Sequence, residues 1–359
     1  MKAAAVFQDR RTTGLIDIEE PKIGSPNQVK IRVLKVGVCG TDREICAFEY
    51  GDPPPGSDYL VLGHECLGEV VEIGSAVTGF KPGDLAVPMV RRPCPHPYCV
   101  ACRAGRPDFC YTGDFTERGI KQRHGFMTEL VVDEEQYMNA IPADLREIGV
   151  LTEPLTIAQK SLEQIVAIQK RLPWQARHRA LVLGAGPVGL LGAMTMVTAG
   201  FETTVYSKLP EPNRGADIVK AMGARYISSE QTPVDQMAEI VGNIDIVYEA
   251  VGASQFAFDV LRVLGTNGLF VFTGVPGHHS PVSIDTDAIM RNLVLKNQAV
   301  VGSVNAGKQA FEDAIKDLGA FYRKWPEAVK GLITAHFPID RFNEPITSHE
   351  GIKNVIDIA

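Results

Sequence analysis

A cysteine, a histidine and two glutamates lie next to apolar, strand-like segments, and together they could bind a catalytic metal ion. Cys39 lies in VGVCGTD, His64 and Glu65 in LGHECLGEVVEIG, and Glu153 in TEP. Thiolate, imidazole and carboxylate all bind zinc, and a catalytic zinc takes about three protein ligands and keeps a position open. Each residue also has an ordinary interpretation: Cys39 as core, His64 as a hydrogen-bonded interior histidine, Glu153 as a helix N-terminal charge. Taken together, the set favours a catalytic zinc site.

A second metal-binding pattern consists of four cysteines within seventeen residues: Cys94, Cys99, Cys102 and Cys110. Four thiolates at short loop spacing are typical of a closed tetrahedral zinc site of the structural kind. The segment between them has few apolar residues, so a metal ion would supply the order that burial cannot. His96 could replace one cysteine, although a surface position suits it better, and a redox pair of Cys99 and Cys102 is the alternative to zinc. The two additional cysteines favour zinc.

The glycine-rich run GAGPVG follows an apolar strand and opens a helix rich in Ala, Leu and Met. In a G-x-G-x-x-G turn the first glycine allows the tight bend, the second lets the backbone approach a pyrophosphate, and the third lets the helix pack on the strand. The N–H groups at the helix N-terminus can bind the phosphates. An ordinary glycine-rich turn is the alternative, but the context favours a dinucleotide site. Its expected residues are Gly184, Gly186, Pro187, Val188 and Gly189.

The position that reads the adenosine ribose lies about 20 residues further on, where a site selective for NAD usually carries Asp or Glu. Here the segment is Val205-Tyr206-Ser207-Lys208, without a carboxylate. Ser207, Lys208 and Arg214 could instead bind a 2′-phosphate. We therefore expect NADP to bind at least as well as NAD, with Lys208 as a solvated surface lysine being the alternative.

The secondary structure that must position these residues changes along the chain from strands to alternating strands and helices. Up to about residue 155, short β-branched runs punctuated by Gly and Pro predict antiparallel strands of a closed, barrel-like β domain. An alternation of strands and helices follows and predicts a doubly wound parallel sheet, so the fold class is α/β. A helix over Lys308–Tyr322 and a mixed tail return to the first domain. The predicted parallel strands are Ala180–Leu183, Thr203–Tyr206, Ile244–Glu249 and Leu269–Thr273, with helices at Val188–Thr198 and Ile218–Met222.

Composition narrows the possible partners. The 359 residues carry a formal charge of -7, with 36 basic and 43 acidic side chains spread along the chain. Nothing in this distribution would attract nucleic acid or an anionic membrane. No apolar run is long enough to cross a bilayer, and the N-terminus is unlike a signal peptide. We therefore expect a cytoplasmic protein whose partner is a small molecule.

With these motifs in place, the sequence resembles the zinc-containing medium-chain dehydrogenase/reductase family. GHECLGEVVEIG is similar to the zinc signature of that family, Cys39-Gly40-Thr41-Asp42 to its first-ligand loop, and GAGPVG to its Rossmann turn. The four-cysteine lobe resembles its structural zinc loop. TGDFTERGI, HGFM and Glu153-Pro154-Leu155 are most similar to the archaeal-type glucose dehydrogenases. The resemblance covers essentially the whole chain.

The resemblance implies the fold and the cofactors. A β-rich GroES-like catalytic domain would comprise residues 1–156 and 308–359, and a Rossmann dinucleotide-binding domain residues 157–307. Catalytic and structural zinc ions and NADP or NAD would be bound. The backbone of Thr273, Gly274 and Val275 would meet the nicotinamide carboxamide. The protein would be a homodimer or homotetramer, because family members pair through their nucleotide domains.

The resemblance also implies roles in the active site. Cys39, His64 and Glu153 would bind the catalytic zinc, with Glu65 beside them as an intermittent or water-mediated ligand. Thr41 would relay the substrate proton. Asp114 would accept hydrogen bonds from sugar hydroxyls, Asn305 would reach the sugar or the nicotinamide, and Glu65 and Glu153 would also face the substrate.

The activity implied is oxidation of an aldose, preferably D-glucose, to the lactone by zinc-assisted hydride transfer. Another polyol or secondary alcohol dehydrogenase of the family, for sorbitol or threonine, is the first alternative. A non-catalytic NADPH-binding protein is a second, and a nucleic-acid-binding zinc module is remote. The sequence departs from the family in having four residues between Cys94 and Cys99 instead of two. Asp114 also stands where close relatives have the longer Glu.

Overall fold

Segments rich in β-branched residues form short strands in the first part of the chain, because such side chains pack well on a pleated surface. The computed structural model describes residues 1–174, 178–277, 280–348 and 350–359. The strands of the first part are β1 (Lys2–Phe7), β2 (Thr12–Asp17), β3 (Gln28–Gly37), β4 (Leu60–Val61), β5 (Glu65–Ile73), β6 (Leu85–Pro88), β7 (Arg91–Arg92), β8 (Thr116–Arg118), β9 (Gln122–Arg123), β10 (Leu130–Glu134) and β11 (Met138–Ile141). Its helices are α1 (Gly40–Cys46) and α2 (Val100–Arg103).

Alternating strands and helices follow. The helices are α3 (Thr152–Gln169), α4 (Pro187–Thr198), α5 (Arg214–Ala221), α6 (Met237–Val241), α7 (Ser254–Leu261) and α8 (Thr286–Leu295). The strands are β12 (Arg179–Leu183), β13 (Glu202–Ser207), β14 (Arg225–Ser228), β15 (Ile246–Glu249), β16 (Leu269–Phe272) and β17 (Ala299–Gly302). The chain ends with α9 (Lys308–Lys324), α10 (Pro326–Leu332), β18 (Ile333–Pro338), α11 (Asn343–Thr347) and β19 (Lys353–Asp357).

The chain divides into two compact units. The first comprises Met1–Thr156, Asn305–Ala320 and Ile333–Ala359, and the second Ile157–Val304 and Phe321–Leu332. The domain limits expected from the sequence differ from the limits of these units mainly at residues 321–332. The sequence-based limits place this stretch in the first domain. In the structure this stretch packs with the second unit, where Arg214 of α5 donates a hydrogen bond to the carbonyl of Gly331.

The main sheet of the first unit is built around β3. Its strand order is β11-β6-β5-β3-β19-β18, and β10 also pairs with β3. The first half of β3 bonds β10 and its last residues bond β19, both antiparallel. The sheet therefore branches at β3, and in the described residues β11 and β18 do not pair with each other. The sequence predicted antiparallel strands in a barrel-like β domain, and every pair in this sheet except β18 with β19 is antiparallel. The branch arises because the long strand β3 has two partners along one edge.

The second unit contains a parallel sheet whose order is β14-β13-β12-β15-β16-β17. The order reverses between β12 and β15, which are buried and apolar apart from the partly exposed Arg179 and the buried Glu249. In such sheets ligands bind at the carboxyl ends of the strands where the order reverses. This is the doubly wound sheet predicted from the sequence, and the GAGPVG turn lies at this reversal.

In the described residues, no helix has both the length and the hydropathy needed to span a membrane.

Candidate active site

Cys39 is held at the end of β3 by the buried carboxylate of Asp42. The chain leaves β3 at Gly37 and begins α1 at Gly40, so Cys39 stands directly before the helix. Oδ2 of Asp42 accepts a hydrogen bond of 2.9 Å from the Cys39 N–H, and Oδ1 accepts one of 3.2 Å from the Gly63 N–H. Asp42 is fully buried. One carboxylate therefore fixes both the loop before α1, which carries Cys39, and the loop before β5, which carries His64.

The structure brings Cys39, His64 and Glu65 together. One possible ligand atom from each, a sulfur, a ring nitrogen and a carboxylate oxygen, lies within 4.8 Å of the other two. His64 and Glu65 are buried, and Cys39 is partly exposed. These are donor types that Zn²⁺ binds in proteins, so the residues fit this metal.

His64 and Asp42 form a charge-coupled pair. Nδ1 of His64 lies 3.6 Å from Oδ1 of Asp42, and within the described residues this buried nitrogen has no regular hydrogen bond. Burial acts to lower the pKa of His64, but the charges of Asp42 and Cys39 outweigh it and raise the pKa well above its usual value. Burial acts to raise the pKa of Asp42, and His64 outweighs it and lowers that pKa. With Nδ1 turned towards Asp42, the other ring nitrogen is left for a ligand.

The carboxylate of Glu65 is bound by a lysine from the end of the chain. Nζ of Lys353 donates to both carboxylate oxygens, at 2.7 and 2.6 Å, and to the carbonyl of Val38 at 3.0 Å. Both side chains are 1% exposed. Burial acts to lower the pKa of Lys353, but Glu65 outweighs it and raises the pKa. Gly37 makes room for this pair, since a Cβ there would lie 2.0 Å from Oε2 of Glu65.

Glu153 lies in the first turn of α3 and is buried. Burial raises the pKa of its carboxyl to about 7, with His64 opposing the rise and the charge of Glu65 adding to it. Glu153 is therefore electrostatically coupled to the donor group, although it is not among the side chains whose ligand atoms lie within 4.8 Å of one another.

The four cysteines of the predicted structural zinc site also converge. Sγ atoms of Cys94, Cys99, Cys102 and Cys110 all lie within 4.8 Å of one another. The longer step from Cys94 to Cys99 does not prevent this, because Cys99 directly precedes α2, which carries Cys102. Burial raises the pKa of Cys102 to about 12. Burial also acts to raise the pKa of Cys110, but hydrogen bonds from Thr112 and nearby N–H groups outweigh it and lower the pKa to about 6. The site fits a tetrahedral zinc with thiolate ligands.

Asp114 lies on the surface of this lobe. Its side chain is 63% exposed and pairs with Nε2 of His96, whose ring stacks on Tyr98. The sugar-binding role expected for Asp114 stays a prediction. His96 is occupied by this pair and is not part of the four-cysteine group.

Asn305 contacts a different carboxylate. Its Nδ2 donates a hydrogen bond of 2.8 Å to Oε1 of Glu117, which also accepts one of 3.0 Å from Nε of Arg91. Glu117 is 4% exposed. In the described residues Oε2 of Glu117 accepts no hydrogen bond. Asn305 has a left-handed backbone, with φ of 59°, which Asn tolerates better than most residues. Thr41 lies in the first turn of α1 and is partly exposed.

The dinucleotide turn has the geometry expected of its three glycines. Gly184 has a φ of 95°, which favours glycine, and α4 begins at Pro187. A Cβ at Gly189 would lie 2.3 Å from the carbonyl oxygen of Gly184, so only glycine lets the helix start so close to the strand. A Cβ at Gly186 would meet no atom within 4 Å, which leaves open space above the turn. The cradle fits a pyrophosphate.

The expected 2′-phosphate residues lie near the end of β13. Ser207 ends the strand and is partly exposed, and Lys208 follows it and is exposed. Arg214 begins α5, whose N-terminus is capped by Oδ1 of Asn213. Nε of Arg214 donates to Gly331, so this guanidinium already has one partner in the second unit.

Thr273, Gly274 and Val275 follow β16 and are linked to the end of β15. The Thr273 N–H and hydroxyl both donate to the carbonyl of Glu249, at 3.0 and 2.6 Å. The Gly274 N–H donates to the Glu249 carboxylate at 3.1 Å. This segment therefore has a defined shape at the carboxyl edge of the parallel sheet.

Sequence reasoning missed Asp42, Glu117, Lys353 and Glu249 as site residues. Asp42 and Glu117 stand inside motifs that were recognised, CGTD and TGDFTERGI, so a local signal existed. Lys353 carries no local signal, since its partner lies 288 residues away along the chain.

Comparisons with known proteins agree with this geometry. Residues 25–143 match the family model described as alcohol dehydrogenase GroES-like domain, and residues 146–358 match the one described as glucose dehydrogenase C-terminus. The chain is 38% identical over 361 residues to glucose 1-dehydrogenase of Methanocella arvoryzae, covering 100% of both chains. It is 39% identical to that of Thermoproteus tenax, covering 96% of this chain and 95% of the relative. Haloferax mediterranei glucose dehydrogenase, solved in complex with NADP, Zn and gluconolactone, superposes with a TM-score of 0.89 at 34% identity, covering 100% of this chain and 99% of that one.

Proposed function

This chain belongs to the zinc-dependent medium-chain dehydrogenase/reductase family, in its glucose 1-dehydrogenase branch, and on that premise we propose that it oxidises D-glucose at C1 to the lactone with NADP or NAD. The observation that carries the proposal is the buried donor group of Cys39, His64 and Glu65, found in a chain whose full-length relatives are glucose 1-dehydrogenases.

Cys39, His64 and Glu153 would bind the catalytic zinc, and Glu65 would stand beside them. When bound, the zinc acidifies the hydroxyl that is to be oxidised. Lys353 neutralises Glu65 in the buried site, so Glu65 need not become a permanent ligand. Asp42 turns the ring of His64 and fixes the Cys39 loop, which preorganises the donors. Cys94, Cys99, Cys102 and Cys110 would bind the structural zinc.

Thr41 would receive the proton that leaves the sugar hydroxyl. Its position in the first turn of α1, two residues after Cys39, and its partial exposure support this role. A hydroxyl can accept one hydrogen bond while it donates another, so it can pass the proton to solvent.

Sugar hydroxyls would be bound by Asn305 and a carboxylate. Of the two candidate carboxylates, Glu117 has more support than Asp114, because it is buried, contacts Asn305 and keeps Oε2 free of hydrogen bonds in the described residues. A site that hydrogen-bonds several hydroxyls rejects simple alcohols, because these leave its polar groups unpaired.

The dinucleotide would lie on the turn of Gly184, Gly186, Pro187, Val188 and Gly189. When bound, its nicotinamide accepts hydride from C1 of the sugar. Ser207, Lys208 and Arg214 would bind the 2′-phosphate of NADP. The end of β13 carries no Asp or Glu, which is the residue type that selects for NAD at this position. Thr273, Gly274, Val275 and Asn305 would hold the nicotinamide.

Two copies of the chain would pair through the second unit. Strand β17 is at the edge of the parallel sheet, where its N–H and C=O groups can bond another strand. Apolar side chains of β17 itself and of α8, the helix before it in the chain, are exposed: Met290 at 64%, Val294 at 71%, Leu295 at 67% and Val300 at 43%. Exposed apolar side chains on an edge strand and on the helix before it in the chain support a homodimer, from which a homotetramer could be built.

The proposed activity is tested by initial rates of cofactor reduction with D-glucose, D-galactose, D-xylose, sorbitol, threonine and ethanol. Each is measured with NADP and with NAD, before and after zinc chelation. The highest rate with D-glucose, lost on chelation, is expected. A higher rate with sorbitol or threonine would assign the enzyme to another branch of the family, and no turnover of the zinc-loaded protein would refute catalysis.

A further inference from the structure

A buried carboxylate at the carboxyl end of β15 joins two loops beside the dinucleotide turn. Glu249 is the last residue of this strand and is 1% exposed. Its Oε1 accepts hydrogen bonds of 2.7 Å from the N–H groups of both Val251 and Gly252. Its Oε2 accepts one of 3.1 Å from the N–H of Gly274. One side chain therefore bonds the loop after β15 to the loop after β16.

These loops pack against each other and against the dinucleotide turn without room for side chains. A Cβ at Gly274 would lie 2.2 Å from the Gly252 nitrogen, and one at Gly252 would lie 2.5 Å from the Val275 oxygen. A Cβ at Gly184 would lie 2.8 Å from a methyl group of Val251. A change at Glu249 would therefore be transmitted to both loops.

The carboxylate has no cationic partner in the described residues. It is held by three backbone N–H groups, which form charge-assisted hydrogen bonds. A glutamine could accept only through its single amide oxygen, and its NH₂ group would face N–H donors. The charge of Glu249 thus serves to fix backbone, and uncharged substitution should loosen it.

We propose that Glu249 is a positioning residue for the nicotinamide half of the cofactor. It holds the segment Thr273–Val275 in the shape that receives the carboxamide, and it leaves the pyrophosphate and adenosine half to the GAGPVG turn and the end of β13. This inference rests on the proposed function, because it takes Thr273–Val275 as the nicotinamide-binding segment.

The test compares two ligands by isothermal titration of the zinc-loaded protein. NADPH occupies the whole site, whereas adenosine 2′,5′-bisphosphate lacks the nicotinamide. Glu249→Gln should weaken NADPH binding by about 10-fold, as expected for loss of one charge-assisted hydrogen bond, and leave the bisphosphate Kd nearly unchanged. Gly274→Ala, which disturbs the same contact from the other loop, should act alike. Glu239→Gln, an exposed change on α6, is the control.

Equal weakening of both ligands would show that Glu249 merely stabilises the sheet and would overturn the proposal. An unchanged NADPH affinity in the Gln variant would overturn it as well. Because both titrations measure binding alone, they decide the role of Glu249 whether or not glucose is the substrate.

Discussion

At the scale of single residues, Asp42 organises the proposed zinc site without being a proposed ligand. Its two oxygens accept hydrogen bonds from the Cys39 and Gly63 N–H groups, and one of them faces His64. Side chains behind a metal ligand commonly fix its orientation and raise its basicity. The geometry of the Cys39–His64 pair thus depends on a residue that reasoning about ligands alone overlooked.

Removing the proposed thiolate ligand should abolish catalysis and leave the fold intact. Cys39→Ala should lower the rate of glucose oxidation by at least about 100-fold, since metal polarisation contributes several kcal/mol to the barrier. The zinc content should fall from two to one per chain, because the four-cysteine site is unchanged. Steady-state kinetics and metal analysis measure both effects. An active variant with one zinc, or a misfolded one, would contradict the role of Cys39.

The two candidate sugar carboxylates can be separated by their variants. Glu117→Gln keeps an oxygen for Asn305 and Arg91 but removes the free acceptor, so kcat/KM for D-glucose should drop about 10-fold or more while that for a plain alcohol changes little. Asp114→Ala should have a small effect, because Asp114 is exposed and paired with His96. If Asp114→Ala causes the larger, sugar-selective loss, the original expectation for Asp114 is correct and Glu117 is structural.

These residues show which parts of the site could be predicted from the sequence alone. Cys39, His64 and the four cysteines lie in short motifs whose residue types and spacing are typical of zinc ligands. The convergence of their side chains could therefore be predicted. The choice between Asp114 and Glu117 could not be predicted. They are three residues apart, one before and one within the short strand β8, and only the path of the chain decides which one meets Asn305.

At the scale of elements, the C-terminal strand completes the site. β19 pairs antiparallel with the end of β3, and β5 pairs with the other edge of β3, opposite Gly37. Lys353 at the start of β19 thereby reaches Glu65 at the start of β5. The periodicity of the chain predicted four of the six strands of the parallel sheet and two of the helices that follow them, because local patterns determine these elements. It could not predict the branched sheet around β3, because pairing across hundreds of residues leaves no local pattern.

Lys353→Met tests this pairing through stability. It leaves the Glu65 carboxylate buried without its cation, so the free energy of unfolding should fall by about 3–5 kcal/mol. Urea unfolding of the zinc-free protein measures the loss. Lys35→Met, at a partly exposed position of β3, should change the free energy of unfolding by no more than about 0.5 kcal/mol. A loss as small as the control's would mean that the pair contributes little to the fold.

At the scale of the whole molecule, the exposed apolar side chains of α8 should govern assembly. Replacing Val294 and Leu295 by Lys places charges on a surface proposed to be buried between two copies, so the mass measured by light scattering should fall to that of a monomer, 39.0 kDa. Val166→Lys, at a position 52% exposed on α3, is the matched control and should leave assembly unchanged. An unaltered oligomer in the double variant would place the interface elsewhere.

The proposed reaction transfers hydride directly from C1 of glucose to the nicotinamide. The most direct measurement is the mass of the reduced cofactor formed from D-glucose that carries deuterium at C1. We expect NADPH, or NADH when NAD is supplied, that is heavier by one deuterium, with a slower initial rate than for unlabelled glucose if hydride transfer limits turnover. Reduced cofactor without deuterium, or no reduced cofactor from the zinc-loaded protein, would contradict it.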